Sequence, residues 1–161
     1  MKQQEKEILF QIRDLRTWFP ITKGSFKKVV GHVKAVDGVS LDVYRGETLG
    51  VVGESGCGKS TLGKSIMMLE KPTGGQSLFR YGNDFKDVTK FSREEMFQFR
   101  CKVQMVFQDP YSALNPQKKI YTSFEEPLIV HGIKSQQERE ELMSRAAHGQ
   151  HTAGLSDALS A

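Results

Sequence analysis

GESGCGKS, the stretch at residues 53–60, decides the fold of this chain. It matches G-x-x-x-x-G-K-[ST], the pattern of a phosphate-binding loop, at every fixed position. The apolar run TLGVV at 48–52 predicts a buried strand before the loop, and apolar residues at helical spacing predict a helix that begins at Lys59 and ends before Pro72. Because the motif requires a strand before it and a helix after it, the motif and its context agree.

The residue types in the loop follow from phosphate chemistry. Glycines let the backbone wrap closely around a phosphate with its N–H groups pointing inward, and the N-terminus of the following helix adds a partial positive charge. Lys59 supplies a full charge between the β- and γ-phosphates, and the Ser60 hydroxyl is placed to ligate Mg²⁺. The residues predicted to bind nucleotide are Gly53, Glu54, Ser55, Gly56, Cys57, Gly58, Lys59, Ser60 and Thr61.

A phosphate-binding loop alone does not choose among GTPases, kinases and transport ATPases. The sequence contains no Asn-Lys-x-Asp motif after the loop, which disfavours a GTPase. A truncated GTPase is not excluded by this observation, so other residues must choose the nucleotide; our expectation is ATP, bound together with Mg²⁺.

Composition sets the class of protein. The chain has 161 residues, 38% of them hydrophobic, which suits one packed domain. Its net charge of +4 is spread along the sequence, so we expect anionic ligands but no nucleic-acid partner. Cys57 and Cys101 form no CxxC pair, which indicates a reducing cytosolic setting. No signal peptide and no membrane-spanning apolar run is present, so any membrane association is expected through a partner.

Antiparallel strands are predicted before the loop. Residues 8–18 predict a strand that ends near Pro20, followed by a basic loop at 21–31. Residues 33–36 and 39–44 predict two further strands, separated by a turn at Asp37-Gly38.

Helices dominate the predictions after the loop. Ser92 and Glu95 form a capping-box pattern that opens a helix through about Cys101, and Ser135 and Glu138 repeat this pattern for a helix through about Ala147. The run VQMVF at 103–107 predicts a second buried strand between them. Together these elements predict an α/β domain with a β-subdomain in front.

Two segments carry a resemblance to a known family. VKAVDGVSLDVYRGETLGVVGESGCGKST at 33–61 and QMVFQDPYSALNP at 104–116 resemble the ATP-binding subunits of oligopeptide and dipeptide ABC importers. The resemblance covers residues 1–145 and implies an ABC-type P-loop NTPase, with an antiparallel β-subdomain, an incomplete RecA-like core and the start of the helical subdomain. QDPYSALNP is more discriminating than the phosphate-binding loop itself.

The resemblance also implies roles for single residues. Gln108 corresponds to the Q-loop glutamine, which reaches Mg²⁺ and the attacking water, and the segment 109–131 would contact a transmembrane partner. An aromatic ring stacks on adenine in this family. Phe19 is our first choice for that ring, and Trp18 and Phe26 are the alternatives.

The family assembly sets the expected partners. These are transmembrane permease subunits and a second, homologous ATP-binding subunit arranged head to tail, at the cytoplasmic face of the cell membrane. The function implied is ATP hydrolysis coupled to import of oligopeptides or dipeptides. Related importers for nickel or glutathione stay open as alternatives.

Three later motifs of the family do not occur in this sequence: the Leu-Ser-Gly-Gly-Gln signature, an apolar run ending in Asp-Glu, and a switch histidine. The residues at 146–161, AAHGQHTAGLSDALSA, form an atypical tail with no Lys or Arg, which we interpret as frameshifted or disordered. We expect a C-terminally truncated chain that does not hydrolyse ATP alone. A non-catalytic nucleotide-binding fragment and an inactive gene product are the competing hypotheses.

Overall fold

The computed structural model describes residues 7–109 and 114–147, and the chain divides into two compact units, Met1–Phe97 and Gln98–Ala161. Most of the predicted tail, at 148–161, and residues 110–113 of the QDPYSALNP segment lie outside the described residues. The domain division near residue 145 therefore stays a prediction. The elements are β1 (Ile8–Lys23), β2 (Lys28–Tyr44), α1 (Lys59–Ile66), β3 (Gly74–Tyr81), β4 (Asp84–Asp87), a 3-10 helix (Val88–Lys90), α2 (Arg93–Lys102), α3 (Ile120–Val130) and α4 (Gln136–Ala147).

An antiparallel sheet forms the body of the first unit. Its strand order is β2-β1-β3-β4, and every neighbouring pair is antiparallel. The side chains on one face of β1 point into the core, where Ile12 and Leu15 are fully buried. Phe10 packs on Phe79 in the same core, with ring centroids 4.8 Å apart. The predicted β-subdomain is confirmed.

The strands before the phosphate-binding loop are longer than predicted. The prediction of a loop at 21–31 is wrong, because Ile21 pairs with Gly31 within the sheet. Only residues 24–27 form the turn, in which the Lys27 N–H donates to the Gly24 carbonyl at 3.1 Å. Pro20 does not end β1. β3 pairs with β1 only as far as Arg16, so at Pro20 the strand β1 has a single partner, β2. A proline has no N–H to donate, and a strand with a partner on one side only can accommodate it.

The predicted turn at Asp37-Gly38 is a bulge within one continuous strand. Leu15 pairs with Val39 and Arg16 with Asp37, so Gly38 is an extra residue in β2. Gly38 adopts a φ of 77°, a conformation that glycine reaches without steric cost. The turn prediction was wrong because a dipeptide typical of turns also suits a bulge.

The buried strands predicted at 48–52 and 103–107 do not form. Val52 is 91% exposed and Val106 is 95% exposed, and neither run pairs with a strand among the described residues. A strand is held by hydrogen bonds to a neighbour, so an apolar run without one remains irregular. The strands β3 and β4 were not predicted from the sequence.

Buried hydroxyl groups fix α1 against the sheet. Thr17 Oγ1 on β1 lies 2.8 Å from Ser65 Oγ on α1, and both side chains are buried. Ser65 Oγ donates to the Thr61 carbonyl at 2.7 Å, so Thr17 is the donor of the pair. Leu62, one turn earlier, is the buried apolar residue of the same helix.

The capping box at Ser92 has both of its reciprocal bonds, and the one at Ser135 has its bond to the serine hydroxyl. The Ser92 N–H donates to Glu95 at 3.0 Å and the Glu95 N–H donates to Ser92 Oγ at 3.2 Å. Hydrogen bonds from the Ser92 backbone and hydroxyl hold the pKa of Glu95 below its usual value. At the start of α4 the Glu138 N–H donates to Ser135 Oγ at 3.4 Å. The helices that these patterns predicted are confirmed as α2 and α4.

The second unit is built on α3 and α4. Leu128, Ile133 and Leu142 form its buried cluster. Arg139 of α4 pairs with Glu125 of α3 at 3.0 Å, and its guanidinium also donates to the Ile133 carbonyl at 2.9 Å. The helix α3 was not predicted, since its sequence, IYTSFEEPLIV, combines β-branched and aromatic residues with an internal proline.

Removal of the buried hydroxyl pair is expected to loosen α1 from the sheet. Ser65→Ala leaves the Thr17 hydroxyl without its acceptor, and Thr17→Val leaves Ser65 without its donor, so each lowers the free energy of unfolding by about 1–3 kcal/mol. The double variant should lose about 1 kcal/mol less than the sum, because neither group remains unsatisfied. Urea unfolding followed by circular dichroism measures all three, with Ser25→Ala in the exposed turn as the control; additive losses would contradict the pairing.

Candidate functional site

The phosphate-binding loop lies beside the β1–β2 hairpin. A cavity of about 230 Å³ separates them, with Ala35, Asp37 and Val39 of β2 on one side and Cys57 and Lys59 on the other. Loop and hairpin both belong to the first unit. The sheet therefore provides one wall of the candidate nucleotide site.

Gly58 is the point of closest approach between the loop and the sheet. It caps the N-terminus of α1 with a φ of 93°, and a Cβ at this position would lie 2.1 Å from the Ala35 carbonyl oxygen. At Gly53 a Cβ would lie 2.7 Å from Cys57 Sγ. Gly58 meets backbone and therefore excludes a side chain, whereas the contact at Gly53 is with the end of the Cys57 side chain, which can move.

The ammonium of Lys59 lies inside the curve of the loop. Its Nζ donates to the carbonyl oxygens of Gly53 at 2.9 Å and Glu54 at 2.6 Å, and lies 3.6 Å from Cys57 Sγ. These bonds hold the positive charge at the centre of the motif rather than in solvent. A phosphate bound there would share or replace these carbonyl contacts.

The first turn of α1 adds backbone donors to the same site. The first N–H groups of a helix have no carbonyl acceptor within it, and the helix dipole places positive charge there. The Gly58 cap makes no side-chain hydrogen bond to them. Together with the glycine cradle and Lys59, this donor set fits a polyphosphate.

A metal ion at this site would need ligands from the phosphates of a bound nucleotide. Ser60 is exposed at the start of α1 and Thr61 is half-buried beside it. Across the described part of the chain, no group of three or more His, Cys, Asp or Glu side chains is arranged to hold a metal ion. The Ser60 hydroxyl with phosphate oxygens is the ligand set that Mg²⁺ commonly uses.

The three candidates for adenine stacking differ in their surroundings. Trp18 donates its Nε1–H to Asp37 Oδ1 at 3.1 Å, and Lys34 Nζ lies 4.4 Å from its ring centroid. Phe19 is half-buried on β1 opposite Val33, and Phe26 is 99% exposed in the turn. Asp37 lines the cavity, so this hydrogen bond connects the Trp18 side chain to the cavity wall. The choice of Phe19 stays a prediction.

Gln108 is exposed and lies in the second unit, directly after the exposed Val106 and Phe107. The phosphate-binding loop belongs to the first unit, so the role of Gln108 at Mg²⁺ stays a prediction. The sequence reasoning missed Asp37, which accepts from Trp18, pairs with Lys34 at 3.2 Å and lines the cavity. Its only signal was the Asp-Gly dipeptide, which was assigned to a turn.

A sequence profile described as ABC transporter matches residues 36–160, which is most of the chain. The chain belongs to the ABC transporter family. The P-loop NTPase fold predicted from the loop and from the QDPYSALNP segment is thereby confirmed.

Relatives within the ABC transporter family are named as importer subunits. The oligopeptide transport ATP-binding protein AppF of Bacillus subtilis is 45% identical over 150 residues, covering 90% of this chain and 44% of AppF. The dipeptide transport ATP-binding protein DppF of Escherichia coli is 46% identical over 140 residues, covering 86% of this chain and 40% of DppF. The chain thus spans less than half the length of these relatives. Their names confirm the family resemblance read from the sequence.

A solved ABC cassette confirms the fold independently. The ATP-binding cassette MJ0796, in a dimeric post-hydrolysis state bound to ADP and Pi, matches with a TM-score of 0.61 at 22% identity, covering 94% of this chain and 67% of that one. Within residues 7–109 and 114–147, no helix combines the length and apolar character needed to cross a bilayer.

Gly58→Ala is expected to disrupt the site, and Gly82→Ala is its matched control. Both glycines have positive φ, so both alanines carry a backbone cost of about 1 kcal/mol, but Gly82 has open space where a Cβ would lie. The collision with the Ala35 carbonyl should add about 1–3 kcal/mol to the loss at Gly58. Urea unfolding measures the difference; equal losses in the two variants would show that the loop does not approach β2 this closely.

Proposed function

We propose that the chain is the ATP-binding part of an importer that couples ATP hydrolysis to uptake of oligopeptides or dipeptides. The observation that carries the proposal is the phosphate cradle: Gly58 pressed against the Ala35 carbonyl, with the Lys59 ammonium held inside the loop. The names of AppF and DppF support the substrate class. They favour peptides over the nickel and glutathione alternatives.

Each residue of the cradle has a separate task. Backbone N–H groups of the loop and of the first turn of α1 bind phosphate oxygens. Lys59 exchanges its bonds to the Gly53 and Glu54 carbonyls for bonds to phosphate, and Ser60 ligates Mg²⁺. When bound, Mg²⁺ neutralises the charge that develops on the phosphates. Gln108 orients the attacking water.

The assembly we propose has two kinds of partner. Permease subunits would contact the segment that follows Gln108, at 109–131, and would hold the chain at the cytoplasmic face of the membrane. A second ATP-binding subunit would face the first, which the dimeric state of the MJ0796 cassette supports, and we propose that the two are arranged head to tail. We propose that the 161 residues bind ATP but do not turn it over without residues supplied in such an assembly or in a longer chain.

The competing hypothesis is nucleotide binding without any transport role. It is favoured by the apolar runs at 48–52 and 103–107, which form no strands in the described structure. The two hypotheses share the cradle and differ in whether the cradle can drive uptake. Binding and uptake are therefore measured separately.

Lys59→Ala is expected to weaken ATP binding strongly. Loss of a charged hydrogen-bond donor to phosphate raises the dissociation constant by about 10- to 150-fold. Lys64→Ala is the control, since Lys64 is exposed in the last turn of the same helix. Titration of the full chain with a fluorescent ATP analogue measures both. Equal affinities of Lys59→Ala and wild type would refute the cradle.

A chimera tests the transport role. Residues 1–145 of this chain replace the matching part of Escherichia coli DppF, in cells that lack DppF and retain the other subunits of that importer. Uptake of a labelled dipeptide should be restored. In the chimera, Gln108→Ala should keep ATP binding but slow uptake by at least about tenfold. Normal ATP binding with no uptake would instead favour the fragment without a transport role.

A further inference from the structure

The β1–β2 hairpin extends beyond the rest of the sheet. Pairing between β1 and β3 stops at Arg16, whereas β1 and β2 continue together to Lys23 and Lys28. Every residue from 20 to 30 is exposed, and we call this segment the hairpin tip. It is a two-stranded ribbon with no other described element packed on it.

Apolar side chains are displayed on the hairpin tip. Phe26 in the turn is 99% exposed, and Ile21, Val29 and Val30 are 46%, 50% and 57% exposed. Each of these residues would ordinarily be placed in a core. Four such residues in one exposed segment, on both sides of the ribbon because Val29 and Val30 are neighbours in β2, indicate a segment that becomes covered by something else.

The charge around the hairpin tip has one sign. From residue 15 to residue 36 the sequence contains no Asp or Glu. Lys23, Lys27 and Lys28 make no ion pair within the described residues, whereas Arg16 and Lys34, at the base of the hairpin, are paired. The unbalanced positive charge is therefore concentrated at the tip, beside Phe26.

Lysines that surround exposed apolar residues suit an anionic bilayer surface. Ammonium groups attract anionic headgroups while apolar side chains enter the boundary with the acyl chains. Nucleic acid fits less well, because Phe26 is the one aromatic ring on the tip, whereas binding of single strands stacks successive bases on several rings.

We propose that the hairpin tip is a membrane anchor that binds anionic phospholipid, with Lys23, Lys27 and Lys28 on the headgroups and Phe26 inserted among them. The anchor adds a direct lipid contact to the contact with permease subunits, and it acts whether or not the chain turns over ATP. It also differs from the expectation that the membrane is reached only through a partner.

Vesicle flotation of the full chain tests the proposal, because bound protein floats with vesicles and aggregated protein does not. Vesicles that contain phosphatidylglycerol with phosphatidylcholine should carry the chain upward, and vesicles of phosphatidylcholine alone should not. High salt should weaken this binding by screening the lysines. Equal flotation with both lipids, or none with either, would overturn the proposal.

Two variants locate the binding at the tip. The triple variant K23Q/K27Q/K28Q should bind anionic vesicles at least about tenfold more weakly. The control K64Q/K71Q/K102Q removes the same charge from three exposed lysines elsewhere, which make no ion pair within the described residues, and should bind as wild type does. Equal losses in the two triple variants would mean that only net charge matters, and the anchor would be rejected.

Phe26→Ala separates lipid insertion from other roles of the ring. It should weaken binding to anionic vesicles by about tenfold, including at high salt. A loss of ATP affinity with normal vesicle binding would assign Phe26 to adenine instead. Stronger dependence of RNA binding than of vesicle binding on the three lysines would assign the tip to nucleic acid. Either result would refute the anchor.

Discussion

A hydrogen bond between two buried hydroxyl groups, Thr17 on β1 and Ser65 on α1, holds the helix that follows the phosphate-binding loop against the sheet. Both side chains are almost fully buried, so breaking the bond would leave a buried hydroxyl without its partner. Ser65 Oγ also donates to the Thr61 carbonyl within α1. The first turn of α1 carries backbone donors that suit phosphate, so this bond and the approach of Gly58 to the Ala35 carbonyl together position the candidate site.

The cradle depends on glycine more than on charge. At Gly58 the backbone approaches the Ala35 carbonyl too closely for any side chain, and Lys59 then lies within reach of the Gly53 and Glu54 carbonyls. Binding of a phosphate therefore exchanges hydrogen bonds at Lys59 and does not simply add them. Exchange lowers the net gain from each bond, whereas the backbone N–H groups of the first helical turn lose no intrahelical partner.

Features with local causes were predicted from the sequence, and features with tertiary causes were not. The capping boxes at Ser92 and Ser135 are satisfied within four residues, so their patterns located α2 and α4. The phosphate-binding loop is likewise a local motif. In contrast, the runs at 48–52 and 103–107 have the composition of strands but no neighbour in the described structure, and composition cannot reveal a missing neighbour. The same reason explains the error at Asp37-Gly38, since only pairing with β1 distinguishes a bulge from a turn.

Asp37 lies at the base of the hairpin and lines the nucleotide cavity. The bulge at Gly38 places its carboxylate where one oxygen accepts from Trp18 and the other pairs with Lys34. Together with the Arg16–Asp14 pair, it neutralises the base of the hairpin, between the nucleotide cavity and the hairpin tip. Lys28 lies nine residues before Asp37 on β2, about 30 Å at about 3.3 Å per residue, whereas charges are screened beyond about 8–10 Å at physiological salt. The tip lysines therefore add little positive potential at the cavity, so the proposed phosphate site and the proposed anchor can act separately.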